Sequence, residues 1–336
     1  MRLIALATMA LLPLPLSAQN VLETAVDAHI IPRYQAVAET AQALEQAAIE
    51  DCAFESPNLQ AAYHTAFDAW IAVTHLRFGP SEVDNRAFAM AFWPDKKGFT
   101  AKALNGLIAA QDPIVESTEA FSQMSIAGRG FFALDTLLFD PAFQAQQSPY
   151  TCQLVQAITV DISQVADAIL QDWQSEYGDY LITAGAETNP LYLTEMEGMQ
   201  ELFKAVLTGL EFTQAQRLGR PMGSFERPRP ARAEARRSGR SNRNIIVALQ
   251  SVEELANILT ASVGGGVAKQ ADDGLAYALR LAEDLDDPVL ASVATFNGRF
   301  RVEALQSSII ASIGFITEEL GPALGVNPGF NALDGD

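Results

Sequence analysis

The chain is poor in the residues from which most metal centres and nucleophilic sites are built. It carries three histidines and two cysteines in 336 residues. No Rossmann, P-loop, H-E-x-x-H, G-x-S-x-G or C-x-x-C signature occurs, which removes the common nucleotide-binding, zinc-peptidase, serine-hydrolase and dithiol chemistries. The triplet Gly264-Gly265-Gly266 lacks the strand and spacing of a phosphate loop. Positive charge is also scarce, with 22 basic against 41 acidic residues. That balance argues against nucleic acid and anionic membrane as partners. Beyond the N-terminus, no stretch of 18 or more residues is free of charged and polar side chains, so the mature chain is expected to have no transmembrane segment.

What is present begins with a secretory signal. Arg2 is the charged start, Leu3 to Leu16 is apolar, and Leu16-Ser17-Ala18 ends on a small residue suited to cleavage before Gln19. Residues 1–18 are therefore read as a signal peptide and the periplasm as the destination. Removing Arg2 leaves 21 basic against 41 acidic residues, a net charge of −20. In an oxidising compartment Cys52 and Cys152 are expected to form a disulfide that ties the first long helix to a later one.

Helix signals dominate and strand signals are nearly absent, which gives an all-α fold class. Val21 to about Glu50 reads as a helix kinked at Pro32. Ser56-Pro57 is a cap followed by proline at the first helical position, and its helix is expected to reach Leu76 or Phe78 before Gly79-Pro80. Ser148-Pro149 repeats that start, with an end near Gly178. Thr194 and Glu197 form a capping box for a helix that runs to about Arg217 and stops at Gly219. Later helices are expected at about 242–263, 272–284 and 288–320. The loop ending at Pro190 divides the chain into two packed helical bundles, residues 19–187 and 188–336.

The centre of the pattern is Ser125–Asp140, SIAGRGFFALDTLLFD. As a helix it is apolar almost all round, and Asp135 stands in the middle of its apolar stripe. A buried carboxylate needs a cation, a metal or several donors. Gly128 and Gly130 flank Arg129 just upstream, where backbone or a ligand can approach closely. The segment His75–Gly98 adds Arg77, Glu82, Arg86 and Trp93 in a mostly irregular region of the kind that often carries function. Nine arginines fall between Arg217 and Arg243 against two glutamates, a net +7 within an acidic chain. Arg237 and Arg240 belong to this cluster, which suits bidentate contacts with an anionic ligand or salt bridges to the acidic part of the protein. His64 and Asp68 are one turn apart, close enough to chelate, but with His75 they read better as a solvated polar face. His29 has no neighbouring ligand pattern.

Four segments, HLRFGPSEVDNRAFAMAFWPDKKG, SIAGRGFFALDTLLFD, RPRPARAEARRSGRSNRN and GFNALDGD, together resemble the imelysin-like family of exported bacterial proteins. The resemblance covers essentially the whole mature chain. It implies two helical bundles with a site near their interface, a proposed metallopeptidase activity and a link with iron uptake. The chain departs from the family signature GxHxxE. In that frame it reads Gly130, Phe131, Phe132, Ala133, Leu134, Asp135, so phenylalanine stands where the histidine belongs and aspartate where the glutamate belongs. Phe132 neither ligates a metal nor moves a proton.

The expectation is a non-enzymatic periplasmic binding protein, associated with iron uptake, that takes a metal or a small anionic ligand between the bundles. Its ligand-binding set is Asp135, Arg77, Glu82, Arg86, Trp93, Arg129, Arg237 and Arg240. Asp135 is the candidate for iron or another divalent cation, and no residue is assigned as catalytic. Other periplasmic or outer-membrane iron-uptake proteins are the implied partners. The alternatives are a metal-dependent peptidase with an altered site, and a structural or interaction protein without a ligand.

Overall fold

A computed structural model describes residues 18–326. The signal segment before Ala18 and the tail motif GFNALDGD lie outside the described residues. The first part of the chain forms α1 (Ala18–Thr24), α2 (Ile31–Glu50), α3 (Pro57–Ile71), α4 (Arg86–Met90), α5 (Phe99–Ala110), α6 (Thr118–Ser122), α7 (Gly130–Phe139), α8 (Pro141–Gln144), α9 (Pro149–Asp172) and α10 (Gly178–Ile182). The second part forms α11 (Glu195–Phe212), α12 (Gly219–Met222), α13 (Ser241–Thr260), α14 (Gly266–Glu283), α15 (Phe296–Phe315) and α16 (Gly321–Leu324). No strand occurs among the described residues beyond a single bridge between Ser224 and Arg227.

Two bundles result. In the first, α2 packs along α3 and α9, and α7 is enclosed by α9, α5 and α3. In the second, α11, α13, α14 and α15 pack in sequence. The N-terminal helix straddles them, because α1 lies against α10 and α11 while α2 belongs to the first bundle. Between α1 and α2 the chain makes a π-helical turn over Ala25–Ile30, in which the Ile31 N–H reaches back to the Val26 carbonyl. Pro32, which has no N–H to give, follows at once, so the irregularity expected from it appears as a widened turn inside a continuing helix.

The helix starts follow from local chemistry. Ser56 accepts from the Leu59 N–H at the head of α3. Ser148 with Thr151, and Thr194 with Glu197, close reciprocal capping boxes on α9 and α11. Helix ends depart further from the sequence reading. α3 stops at Ile71, because the Thr74 hydroxyl donates to the Ile71 carbonyl and the Ser251 hydroxyl of α13 donates to that of Ala72. α15 starts at Phe296 rather than at Pro288. Before it, Asp287 accepts from the Ala291 and Ser292 N–H groups and Leu290 adopts a left-handed conformation.

Cys52, just past α2, is bonded to Cys152 in the first turn of α9, with Cα atoms 5.2 Å apart. The bridge closes a loop of 100 residues and pins α9 to the end of α2.

Candidate functional site

α7 is enclosed along almost its whole length, with every residue from Gly130 to Leu138 buried. Phe131 stacks flat on Phe67 of α3 at 4.7 Å. Asp135 is 1% exposed, and its carboxylate accepts from the hydroxyls of Tyr63 and Ser238, the former at 3.1 Å. Burial pushes the Asp135 carboxyl above the usual carboxylate range; the Ser238 hydroxyl, the Arg237 charge and the Tyr63 hydroxyl pull the other way without cancelling it. Both hydroxyls donate to the same oxygen, Oδ1, so of the partners its burial called for (a cation, a metal or several donors) the carboxylate has donors.

Asp135 forms part of the wall of a cleft of about 200 Å³ between α7, the segment 92–101 and the arginine-rich segment after α11. Trp93, reached through a cis bond to Pro94, stacks on Phe132 at 6.2 Å and meets Phe212 edge-on. The Arg220 guanidinium lies 5.5 Å over the Trp93 ring. Arg220, Arg232, Arg236 and Arg237 all line this space. Arg237 is held by Asp140 at 2.6 Å. Among the described residues no carboxylate pairs with Arg220, Arg232 or Arg236. The Arg220 Nε is buried without a hydrogen-bond partner. Burial, and to a lesser degree the charge of Arg232, lower the Arg220 pKa. The acids nearby are engaged: Asp95 accepts from the Lys97, Phe99 and Thr100 N–H groups at the head of α5.

Of the residues expected at the site, Trp93, Asp135 and Arg237 come together here and the others lie elsewhere. Arg77 forms an ion pair with Glu82 at 2.7 Å and covers Phe88. Arg86 reaches Asp172 and the Pro80 carbonyl. The 77–86 segment therefore does not face Asp135, because its arginines are drawn to acids of their own surroundings. Arg129 turns away from the cleft into a buried bidentate pair with Asp161, at 2.6 and 2.9 Å. Arg240 binds the His64 carbonyl and ring and, with Arg243, the Asp68 carboxylate, so it locks the second bundle onto α3. His64 and Asp68 are accordingly half-buried partners of arginine rather than a solvated face. His75, carried off the helix by the early end of α3, is buried against His29 with their Nε2 atoms 3.0 Å apart.

The arginine cluster thus divides. Arg217 is buried against Glu234 at 2.8 Å, Arg240 and Arg243 hold Asp68, and Arg237 holds Asp140, which are internal bridges. Among the described residues no carboxylate pairs with the other five; Arg220, Arg232 and Arg236 line the cleft, and Arg227 and Arg229 do not. Tyr63 and Ser238 were not singled out from the sequence. Tyr63 offered a signal, since a tyrosine in an apolar stripe needs a partner for its hydroxyl; Ser238 offered none.

A metal held by the protein needs several donors converging on one point. Around Asp135 the neighbours are two hydroxyls and a guanidinium, and Phe132 fills the histidine position of the frame. Among the described residues no group of three or more His, Cys, Asp or Glu side chains is placed to hold an ion. Among the described residues, the donors around Asp135 do not make up a metal site.

The family model described as imelysin (Peptidase_M75) matches residues 30–314. Iron-regulated protein A of Synechococcus elongatus is 24% identical over 322 residues, covering 85% of this chain and 81% of that protein. Among solved structures, an imelysin-like protein from Psychrobacter arcticum superposes with a TM-score of 0.78 at 20% identity, covering 95% of this chain and all of that one. A protein described as an iron-regulated protein A precursor, from Parabacteroides distasonis, gives 0.72 at 12% identity over 89% of this chain and 94% of its own. With the family model spanning most of its length and the same all-α architecture in both solved structures, the chain belongs to the imelysin family.

Proposed function

We propose that the chain is an exported, non-catalytic member of the imelysin family that binds a small anionic ligand, of the polycarboxylate or phosphate class, in the cleft beside Asp135. One observation carries this reading: Arg220, Arg232 and Arg236 line the cleft and, among the described residues, no carboxylate pairs with them, since Asp95 is held by backbone N–H groups and Asp135 by two hydroxyls, while the Arg220 Nε is buried and unpartnered. An anion bridging these guanidinium groups would supply the missing hydrogen bonds and relieve their mutual repulsion. Trp93 and Phe132 form the apolar wall beside them. The volume of about 200 Å³ suits a molecule of metabolite size rather than a peptide.

The names of the relatives in Synechococcus and Parabacteroides speak of regulation by iron. In that setting iron need not meet protein donors directly. An anionic chelate brings its own oxygen ligands and presents negative charge to the arginines. The periplasm, and iron-uptake proteins as partners, fit this reading and the N-terminal signal segment.

The test is calorimetric titration of the mature chain with citrate and with inorganic phosphate. Arg220→Ala and Arg232→Ala are each expected to weaken binding of the accepted anion by about ten- to a hundredfold, the loss of a hydrogen bond to a charged group. Arg243→Ala, whose partner is Asp68 on α3, leaves affinity unchanged. Equal affinity in the wild type, Arg220→Ala and Arg232→Ala would overturn the site assignment.

A further inference from the structure

Away from the cleft, His29 and His75 meet at the seam between the two bundles. His29 comes from the π-helical turn before α2, and His75 from the turn after α3. α11 closes over them so tightly that a methyl group on Gly209 would come within 2.8 Å of the His75 Cβ. From α13, Glu254 lies 3.8 Å from the His29 Nδ1 and pairs with Arg33 of α2. Arg33 also donates to Ser251, the α13 residue that terminates α3. The two imidazoles are 0% and 2% exposed, and neither Nδ1 has a hydrogen-bond partner.

We propose that the His29–His75 pair is a proton-operated latch on the bundle seam, closed at neutral pH and released as the pH falls below about 6.5. With both rings neutral, one Nε2–H donates to the other Nε2 lone pair and the 3.0 Å contact is attractive. A first added proton is resisted less at His29, where Glu254 faces Nδ1, but burial outweighs that carboxylate. A second, on His75, sets two imidazolium rings edge to face, with centroids 5.2 Å apart, in a dry interior. The charged groups around His75 add to the cost, because Arg33 and Arg217 are both cations and Glu254 is already shared with Arg33. Opening the seam lets both rings take up protons in water.

The sign follows from linkage. Burial is the largest cause lowering both imidazole pKa values, with the His29 and arginine charges lowering His75 further. The open form therefore binds more protons than the closed form below the ordinary histidine value of about 6.5, and the closed form loses stability as pH falls. Each refused proton raises the open population by about tenfold between pH 7.5 and 5.5, and the pair by roughly a hundredfold.

Native-state amide hydrogen exchange, corrected for the intrinsic pH dependence, reads this directly. The amides of α1, the π-helical turn and the α13 segment facing them should lose about a hundredfold in protection over that range, while those of α9 hold. Imidazole NMR on the unmodified protein is the second readout, and His64→Gln identifies the third ring. Both buried rings should stay neutral at pH 6 in the folded form. Two rings titrating near 6.5 in the folded protein, or seam protection independent of pH, would overturn the proposal. Should His29→Gln/His75→Gln fold, its seam protection should be flat with pH; an unchanged pH dependence there would equally reject the latch.

Discussion

Gly130→Ala is expected to cost about 4 kcal/mol or more and to yield little folded protein, an effect reserved for backbone strain combined with overpacking. Gly130 opens α7 with φ of +69°, a conformation that side chains disfavour. A Cβ there would stand 2.2 Å from the Ala89 carbonyl oxygen and 2.4 Å from that of Met90. Neither oxygen belongs to a flexible side chain, so the clash is relieved only by moving α4 away from the head of α7. The first glycine of the family signature thus has a packing role here that survives the loss of its histidine. Gly106→Ala is the control: nothing lies within 4 Å of its added methyl, and alanine in the interior of α5 is expected to be neutral or to stabilise by up to about 1 kcal/mol. Urea unfolding of the two variants against the wild type measures both. A Gly130→Ala protein as stable as Gly106→Ala would mean that the contact between α7 and the 89–90 carbonyls is looser than described.

Removing the disulfide by Cys52→Ser/Cys152→Ser is expected to lower unfolding free energy by about 4–5 kcal/mol on the chain-entropy model, since the bridge closes a 100-residue loop. The loss should fall on the first bundle, because both ends of the bridge lie at the junction of α2 and α9. Guanidinium unfolding of the wild type with and without reductant, compared with the double variant, separates the bridge itself from the substituted side chains. Coincident curves in all three would show that the α2–α9 contact holds without the covalent tie.

Much of the architecture was legible where a short segment decides its own structure. Ser56-Pro57, Ser148-Pro149 and Thr194 with Glu197 each carry their capping chemistry within four residues, and the structure begins helices at all three. The cysteine pair was legible from compartment and number alone. Helix ends set by distant residues were not: α3 stops at Ile71 with help from Ser251, which is 179 positions beyond Ala72. That shortened helix is why His75 leaves the stripe it was expected to share with His64, and why its partner His29 could not be foreseen from either neighbourhood.

The site was legible in part, for the same reason. Asp135 was identifiable as a carboxylate in an apolar helix, and Trp93 and Arg237 do line its surroundings. The partners of Asp135 were not, because Tyr63 and Ser238 arrive from other helices and loops. Composition located the arginine cluster but did not divide it. Arg217, Arg237, Arg240 and Arg243 find acids, whereas among the described residues the other five do not, and of those only Arg220, Arg232 and Arg236 line the cleft, a distinction that exists only once the chain has folded.

The most direct measurement is a side-by-side titration of metal-stripped mature chain with citrate, iron, zinc and calcium, followed by calorimetry. An anion-binding cleft predicts saturable citrate binding near one per chain that Arg220→Ala weakens, with no stoichiometric site for any of the free metals. Stoichiometric metal binding that disappears in Asp135→Ala, with no citrate binding, would contradict it and return the site to metal chemistry.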